Sequence, residues 1–192
     1  EFEFPFGFKE LEGIHSRTDF DLGNHEKFSG KKLQYFDPEL NQSYVPYVVE
    51  TSIGLDRMFL AILSQSYAEE KLEDGSERVV LRIPPFLAPV KCAVMPLVKK
   101  DGLPEKAREI MDRIKYDHNC FYEEKDNIGK RYRRQDAIGT PFCITVDHET
   151  LVDNAVTIRY RDTMQQERIP IEQVEKILNE KVDLRAALRK LN

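Results

Sequence analysis

The stretch Tyr47-Val48-Val49-Glu50-Thr51-Ser52-Ile53-Gly54-Leu55-Asp56-Arg57-Met58-Phe59-Leu60-Ala61 changes its period at the centre. Up to Ile53 it is rich in β-branched and aromatic residues and reads as a strand. Beyond Gly54, the residues Leu55, Met58, Phe59, Ile62 and Leu63 recur at helical spacing and give a helix one apolar face. Gly54 lies between the two, where the backbone changes direction. Strand residues two apart point to the same side. Glu50, Ser52 and Gly54 therefore share a face: a carboxylate, a hydroxyl and an open place. Arg57 falls in the first helical turn, where the helix dipole disfavours a cation. That local cost suggests an anionic partner, a phosphate or a carboxylate. Together these groups suit a small amino acid beside a nucleotide. A plain strand-to-helix turn with a solvated arginine accounts for the same residues.

Working outward from this corner, Phe2, Phe4, Phe6 and Phe8 alternate along one face of an expected strand over residues 1–12. Glu10 and Glu12 continue the phase, so a core gives way there to a cleft or to solvent. Residues 13–24 are polar, hold Arg17, Asp19 and Asp21, and read as a loop. Residues 27–37 and 43–53 read as an antiparallel strand pair across the turn Asp37-Pro38-Glu39-Leu40-Asn41. The helix after Gly54 is expected to run to about Lys71, followed by a polar loop over residues 72–77. Pro84, Pro85 and Pro89 then restrain the chain, and a boundary is expected between 72 and 85. The expected domains are 1–77 and 78–192.

The second domain has a different pattern. Residues 90–97 form an apolar run, as in a strand covered on both faces. Leu103-Pro104-Glu105 opens a helix whose buried stripe is Ala107, Ile110, Met111 and Ile114. Cys120-Phe121-Tyr122 is a short strand. A helix follows over about 127–138, ended by Gly139 and Pro141. Residues 142–147 and 155–161 are strands, and Pro170 opens a last helix through Val174, Ile177 and Leu178. The fold class is α/β, with a mostly parallel sheet and an antiparallel edge in the second domain.

Hydrophobic residues make up 41% of the 192 positions and charged residues 33%, a globular composition. No apolar run approaches the length of a membrane helix, and no basic-then-apolar segment suggests secretion. Cys92, Cys120 and Cys143 are odd in number and contain no CxxC, which fits reduced thiols in the cytoplasm better than a disulfide frame. His118 and Cys120 are neighbours, but no second ligand pair has zinc spacing, and no metal site is expected in the chain. The net charge is −5. It divides unevenly: residues 1–77 carry 7 Lys and Arg against 16 Asp and Glu, a net of −9, and residues 78–192 carry 22 against 18, a net of +4. A local basic excess, rather than net charge, steers a polyanion.

Three blocks of the chain resemble one family. Glu50-Thr51-Ser52-Ile53-Gly54-Leu55-Asp56-Arg57 is similar to the third signature motif of class II aminoacyl-tRNA synthetases, in the form found in dimeric glycyl-tRNA synthetases. Upstream, Phe8-Lys9-Glu10-Leu11-Glu12-Gly13-Ile14 and Arg17-Thr18-Asp19-Phe20-Asp21-Leu22 resemble the block preceding that motif. Downstream, residues 128–136 and 138–147 resemble the anticodon-binding domain. The order is that of the family, and the match covers nearly the whole chain. The resemblance implies part of an antiparallel catalytic sheet in residues 1–77 and an anticodon-binding domain in 78–192. It implies glycine contacts from Glu50, Thr51, Ser52, Ile53 and Gly54, with Glu50 on the α-ammonium. It implies ATP contacts from Glu10, Leu11, Gly54, Leu55, Asp56 and Arg57, with Glu10 reaching the nucleotide through Mg2+. Its partners would be glycine, ATP and tRNA(Gly), in a homodimer, with neither DNA nor a membrane. The chain begins with Glu and lacks motifs one and two, including the arginine that grips the α-phosphate. It is therefore expected to be a C-terminal part of a larger enzyme, inactive alone, and no residue of it is assigned a catalytic role. A non-catalytic tRNA-binding module derived from a synthetase is the alternative.

Lys130, Arg131, Arg133 and Arg134 crowd one expected helix around Tyr132. Neighbours on a helix differ by about 100°, so these cations cannot all face one phosphate. A solvated helix surface explains such a run. So does an RNA face, since unpaired bases stack on aromatic rings and guanidinium planes. Arg159, Arg161 and Arg168 are further candidates. Binding through such cations would weaken steeply with salt.

Overall fold

The computed structural model of the chain describes residues 1–189. Residues 190–192, the end of the expected second domain, lie outside the described residues. The chain forms two compact units, Glu1–Ser64 and Gln65–Asn192.

In the first unit the phenylalanine-rich start is a hairpin rather than one strand. β1 (Phe2–Phe4) pairs antiparallel with β2 (Gly7–Lys9). Gly7, at φ +97°, makes the reversal possible, since a side chain there would be strained. The rings of Phe2, Phe4 and Phe6 gather at 4.8 and 5.3 Å between centroids, and Phe4 is buried. The expected loop over 13–24 is instead β3 (Glu12–Thr18) followed by α1 (Phe20–Ser29). α1 buries no side chain, so it carries no apolar stripe that a sequence pattern could show. It also takes the start of the strand expected over 27–37. What remains there is β4 (Tyr35–Asp37), which pairs antiparallel with β5 (Gln42–Tyr44) across the expected turn. β6 (Val48–Ile53) pairs antiparallel with β3, and α2 (Leu55–Ser66) follows Gly54.

The helix expected to reach Lys71 stops at Ser66. Residues 67–71 are β7 (Tyr67–Lys71), paired antiparallel with β8 (Glu77–Leu81) around the loop at Gly75. Burial alternates along both strands with the strand period: Ala68 and Glu70 turn inward on β7, Arg78 and Val80 on β8. The hairpin belongs to the second compact unit, which begins at Gln65.

The second unit is built on a mixed five-stranded sheet. Its strands are β9 (Cys92–Pro96), β10 (Cys120–Tyr122), β11 (Phe142–Val146), β12 (Ala155–Tyr160) and β13 (Gln166–Pro170), in the order β10-β9-β11-β12-β13. The β10–β9 and β9–β11 pairs are parallel, and the β11–β12 and β12–β13 pairs antiparallel. The sheet is thus evenly mixed, because β13 adds an antiparallel edge not expected from the sequence. α3 (Leu103–Ile114) and α6 (Ile171–Val182) cover one face. Their Leu103, Ala107, Ile110, Val174 and Leu178 pack with Val94, Ile144, Val156 and Ile158 in one core. α4 (Ile128–Ile138) covers the other face, where Ile128 and Tyr132 pack on Ala93, Met95 and Cys143. Asn127 caps α4 by accepting from Lys130 N, and Gly139 ends it in the left-handed conformation. Two short helices, α5 (Thr150–Asp153) and α7 (Leu184–Leu188), complete the unit. Among the described residues no helix is long and apolar enough to cross a membrane.

Candidate functional site

The β3–β6 pair of the first unit carries the candidate amino-acid site. Its register sets Gly13 opposite Ser52 and His15 opposite Glu50, so all four share one face. An irregularity between Ser16 and Thr18 breaks the ladder at Arg17. Such a bulge re-aims its side chain, and Arg17 reaches Glu50, with Nε 3.5 Å from Oε2. Arg17 is itself clamped by Asp21, donating from Nε and Nη2 at 2.8 Å each. These two hydrogen bonds hold the Asp21 carboxyl below its usual range, and Asp21 with Glu50 raises the Arg17 guanidinium.

At the end of the same pair, Arg57 in the first turn of α2 donates from Nη1 to the Glu10 carbonyl at 2.8 Å. The Glu10 carboxylate lies 3.5 Å away. Both side chains are more than half exposed, so a competing anion can replace this weak contact. Gly54 needs no special backbone, and a Cβ there would meet the Arg57 stem at 3.7 Å, an ordinary contact. Local packing therefore does not dictate glycine at 54. Gly13 is different: a Cβ would come within 2.5 Å of His15 Nε2, because the imidazole lies over it. His15 is the member of this face that the sequence reading did not single out. Its alternation with Gly13 and Arg17 along β3 was the available signal. Thr51, Ile53, Leu55 and Asp56 are exposed around the corner, and Leu11 is half-buried.

In the second unit the basic run of α4 divides sharply. Arg131 is 2% exposed and points inward, donating from Nη1 to the carbonyls of Pro96 and Glu123 and from Nη2 to that of Leu97. Arg134 is held by Glu123 and Asp126 and by the Lys125 carbonyl. Arg159 is bidentate to Asp136, Arg161 binds Asp162 and the Gly139 carbonyl, and Arg168 binds Asp147 and Asp153. Among the described residues, Lys130 and Arg133 form no salt bridge. They line a hollow of about 470 Å³ with Asn127, Gly129, Tyr132 and Arg159, at the start of α4. Helix N-termini attract anions, and the Arg159 guanidinium lies over the Tyr132 ring at 4.7 Å. The hollow therefore offers the positive charge of Lys130 and Arg133, while the Arg159 guanidinium over Tyr132 is buried and tied to Asp136.

No group of three or more His, Cys, Asp or Glu capable of holding a metal ion occurs among the described residues. Glu10 is a single exposed carboxylate. That fits Mg2+ only in its usual manner, bound by one or two carboxylates and completed by substrate phosphates.

The mixed sheet, with α3 and α6 on one face and a basic helix on the other, falls within residues 91–181, which match the family described as "Anticodon binding domain". The similarity extends through the first unit to the glycine–tRNA ligases. Over 182 residues, 95% of the chain, it is 53% identical to the Glycine–tRNA ligase of Chlorobaculum tepidum and covers 38% of that protein. It is 54% identical over 182 residues to that of Clostridium acetobutylicum, again 95% of the chain and 39% of the relative. With that of Borrelia hermsii it shares 53% identity over 173 residues, 89% of the chain and 39% of the relative. The chain is a relative of these aminoacyl-tRNA synthetases and spans well under half of their length.

Proposed function

We propose that this chain is the part of a glycine–tRNA ligase that contributes motif three to glycine activation and the anticodon-side grip on tRNA(Gly). The whole protein would join glycine to ATP as glycyl-adenylate and pass glycine to the tRNA 3′ end. The observation that carries the reading is the exposed β3–β6 face, where Glu50 and Ser52 sit between the Arg17–Asp21 clamp and the Arg57–Glu10 corner.

Glu50 would receive the α-ammonium of glycine, with Ser52 beside it. Arg57 would leave Glu10 for an ATP phosphate or the adenine, and Glu10 would hold Mg2+ together with ATP oxygens. Leu11, Leu55 and Asp56 would line the nucleotide side, and Thr51, Ile53 and Gly54 the glycine side. A missing methyl changes affinity by only about 1–3 kcal/mol, so exclusion of alanine must be steric. Small residues on this face and the His15 ring over Gly13 would supply that crowding. β3 and β6 would be strands of the class II antiparallel catalytic sheet. Exposed Phe8, Ile14, Val49, Leu55 and Phe59 would meet the remainder of that domain and its dimer partner. Catalysis would come mainly from positioning and charge stabilisation at the α-phosphate.

The test is Glu50→Gln in the full-length protein, read by glycine-dependent ATP–pyrophosphate exchange. Loss of exchange at unchanged ATP affinity is expected, and unaltered exchange would overturn the ammonium contact. The self-contained core of the second unit favours a second reading for the chain alone: a tRNA-binding module without activation chemistry. It predicts tRNA binding by this chain with no exchange activity.

A further inference from the structure

Cys92 on β9 and Cys120 on β10 stand directly opposite each other across two parallel strands. Their sulfurs are 3.3 Å apart, with the Cys92 thiol donating to Cys120 Sγ. Residues in register share a face, here the face of the α3 and α6 core. β10 is an edge strand of three residues, and Cys120 is partly buried where Cys92 is fully so. Cys143 is out of phase with this pair. On β11, Phe142 stands opposite Cys92 and Cys143 opposite Ala93, so the Cys143 thiol points to the other face. It is fully buried, and burial pushes it up to about 12.

We propose that Cys92 and Cys120 form a reversible disulfide site, closed by a low-molecular-weight disulfide such as oxidised glutathione. Cys120, reachable from solvent, attacks first as the thiolate. One glutathione leaves as its thiolate, and a mixed disulfide remains on Cys120. Cys92 then gives up its proton, and its sulfur attacks Cys120 Sγ and displaces the second glutathione. The released proton ends on a departing thiolate or in solvent. Two protein thiols and one glutathione disulfide thus become one protein disulfide and two glutathione thiols.

The order of attack follows access, and the local electrostatics agree with it. The hydrogen bond between the sulfurs, with burial, holds the Cys92 thiol protonated, and the same bond favours the Cys120 thiolate. Bond formation requires the sulfurs to approach by about 1.3 Å, to the usual separation. An edge strand with a ladder on one side only is the element best able to yield. The crosslink would act near α4. β10 leads directly to Glu123, whose carbonyl and carboxylate hold Arg131, Arg134 and Gln135.

The experiment is native incubation of this chain with excess oxidised glutathione, followed by intact mass and non-reducing peptide mapping. The expected product has lost two hydrogens, carries a Cys92–Cys120 linked peptide, keeps Cys143 as its one free thiol, and reverts with dithiothreitol. Cys143→Ala should behave the same. Cys92→Ser should stop at the mixed disulfide on Cys120. Cys120→Ser, or Cys120→Ala if the serine variant folds poorly, should remain unmodified. The site is overturned if the native protein stops at the mixed disulfide or stays unmodified. It is equally overturned if the link engages Cys143 or a second copy of the chain.

Discussion

Arg78 of β8 and Asp136 of α4 face each other inside the second unit, Nε to Oδ2 at 3.3 Å, with neither side chain reaching solvent. The same carboxylate accepts two hydrogen bonds from Arg159, at 2.8 and 2.9 Å. One buried anion thus serves two buried guanidiniums, and Glu70 adds a second, weaker contact to Arg78. Arg78 Nη2 donates to the Arg161 carbonyl at 2.5 Å, but its Nε and Nη1 make no hydrogen bond among the described residues. Removing one partner of a buried pair costs about 3–5 kcal/mol, whereas replacing a poorly satisfied charge by an apolar chain costs less. Asp136→Ala should therefore destabilise the second unit by about 3–5 kcal/mol, and Arg78→Met by clearly less. Urea unfolding of the two variants decides it. Equal losses, or the reverse order, would remove Asp136 from the centre of this cluster.

Gly139 closes α4 at φ +84°, and a Cβ there would lie 3.1 Å from the Leu81 carbonyl oxygen of the β7–β8 hairpin. Left-handed backbone costs a residue with a side chain about 1–2 kcal/mol before any crowding. Gly139→Ala should lose at least that much. Gly129, in the same helix, is the internal control. Its added Cβ would touch Asn127 Oδ1 at 3.6 Å, an ordinary contact. Gly129→Ala should gain roughly 0.5–1 kcal/mol from helix propensity. Thermal melts of the pair should move in opposite directions, and a shared direction would contradict the capping geometry.

Arg168 on β13 ties Asp147 and Asp153 together at 2.9 Å each. Burial pushes the Asp147 carboxyl up, but hydrogen bonds from Arg168 and from the Thr150 backbone and hydroxyl outweigh it, and the net direction is down. Asp153 is lowered chiefly by Arg168. Both folded values lie below the unfolded value of about 3.9. Their contribution is therefore complete above that value and is lost as pH falls through the folded values. Arg168→Gln should lower stability at neutral pH by about 1 kcal/mol and flatten the loss below about pH 4. Urea midpoints at successive pH values measure this. An unchanged acid limb would show that the clamp does not govern it.

The elements legible in the sequence are those whose burial is apolar or whose ends carry a cap. β9 and β11 are wholly buried, α3 and α6 open at Pro104 and Pro170, and α4 runs from Asn127 to Gly139. The elements that escaped bury at most one apolar side chain each. β8 turns Arg78 inward, β13 buries only Ile169, and α1 buries no residue. The face shared by Glu50 and Ser52 followed from strand period alone. The approach of Arg17 did not, because residues 13–24 read as a polar loop and β3 was not expected beside β6. Within the basic run, charge concealed the inward turn of Arg131. Positions 128, 131, 132, 135 and 136 have the spacing of a buried helical stripe, but it is mostly polar, and hydrophobic patterning passes over it.

That division inside α4 gives the sharpest contrast available on tRNA(Gly). Among the described residues Lys130 and Arg133 form no salt bridge, while the Arg131 guanidinium is spent on the carbonyls of Pro96, Leu97 and Glu123. Each phosphate contact removed should reduce the slope of log K against log salt by about 0.7–0.9. Lys130→Ala and Arg133→Ala should each do so, with a fold intact by circular dichroism. Arg131→Met should act through stability instead, because three carbonyl acceptors lose their donor in the interior. Its melting temperature should fall, and at temperatures where it remains folded its salt slope should match the parent's. Fluorescence anisotropy with tRNA(Gly) over a range of salt concentrations separates the cases. A slope that changes with Arg131 but not with Lys130 or Arg133 would place the RNA elsewhere on the unit, since a guanidinium buried beneath the helix has no route to a phosphate.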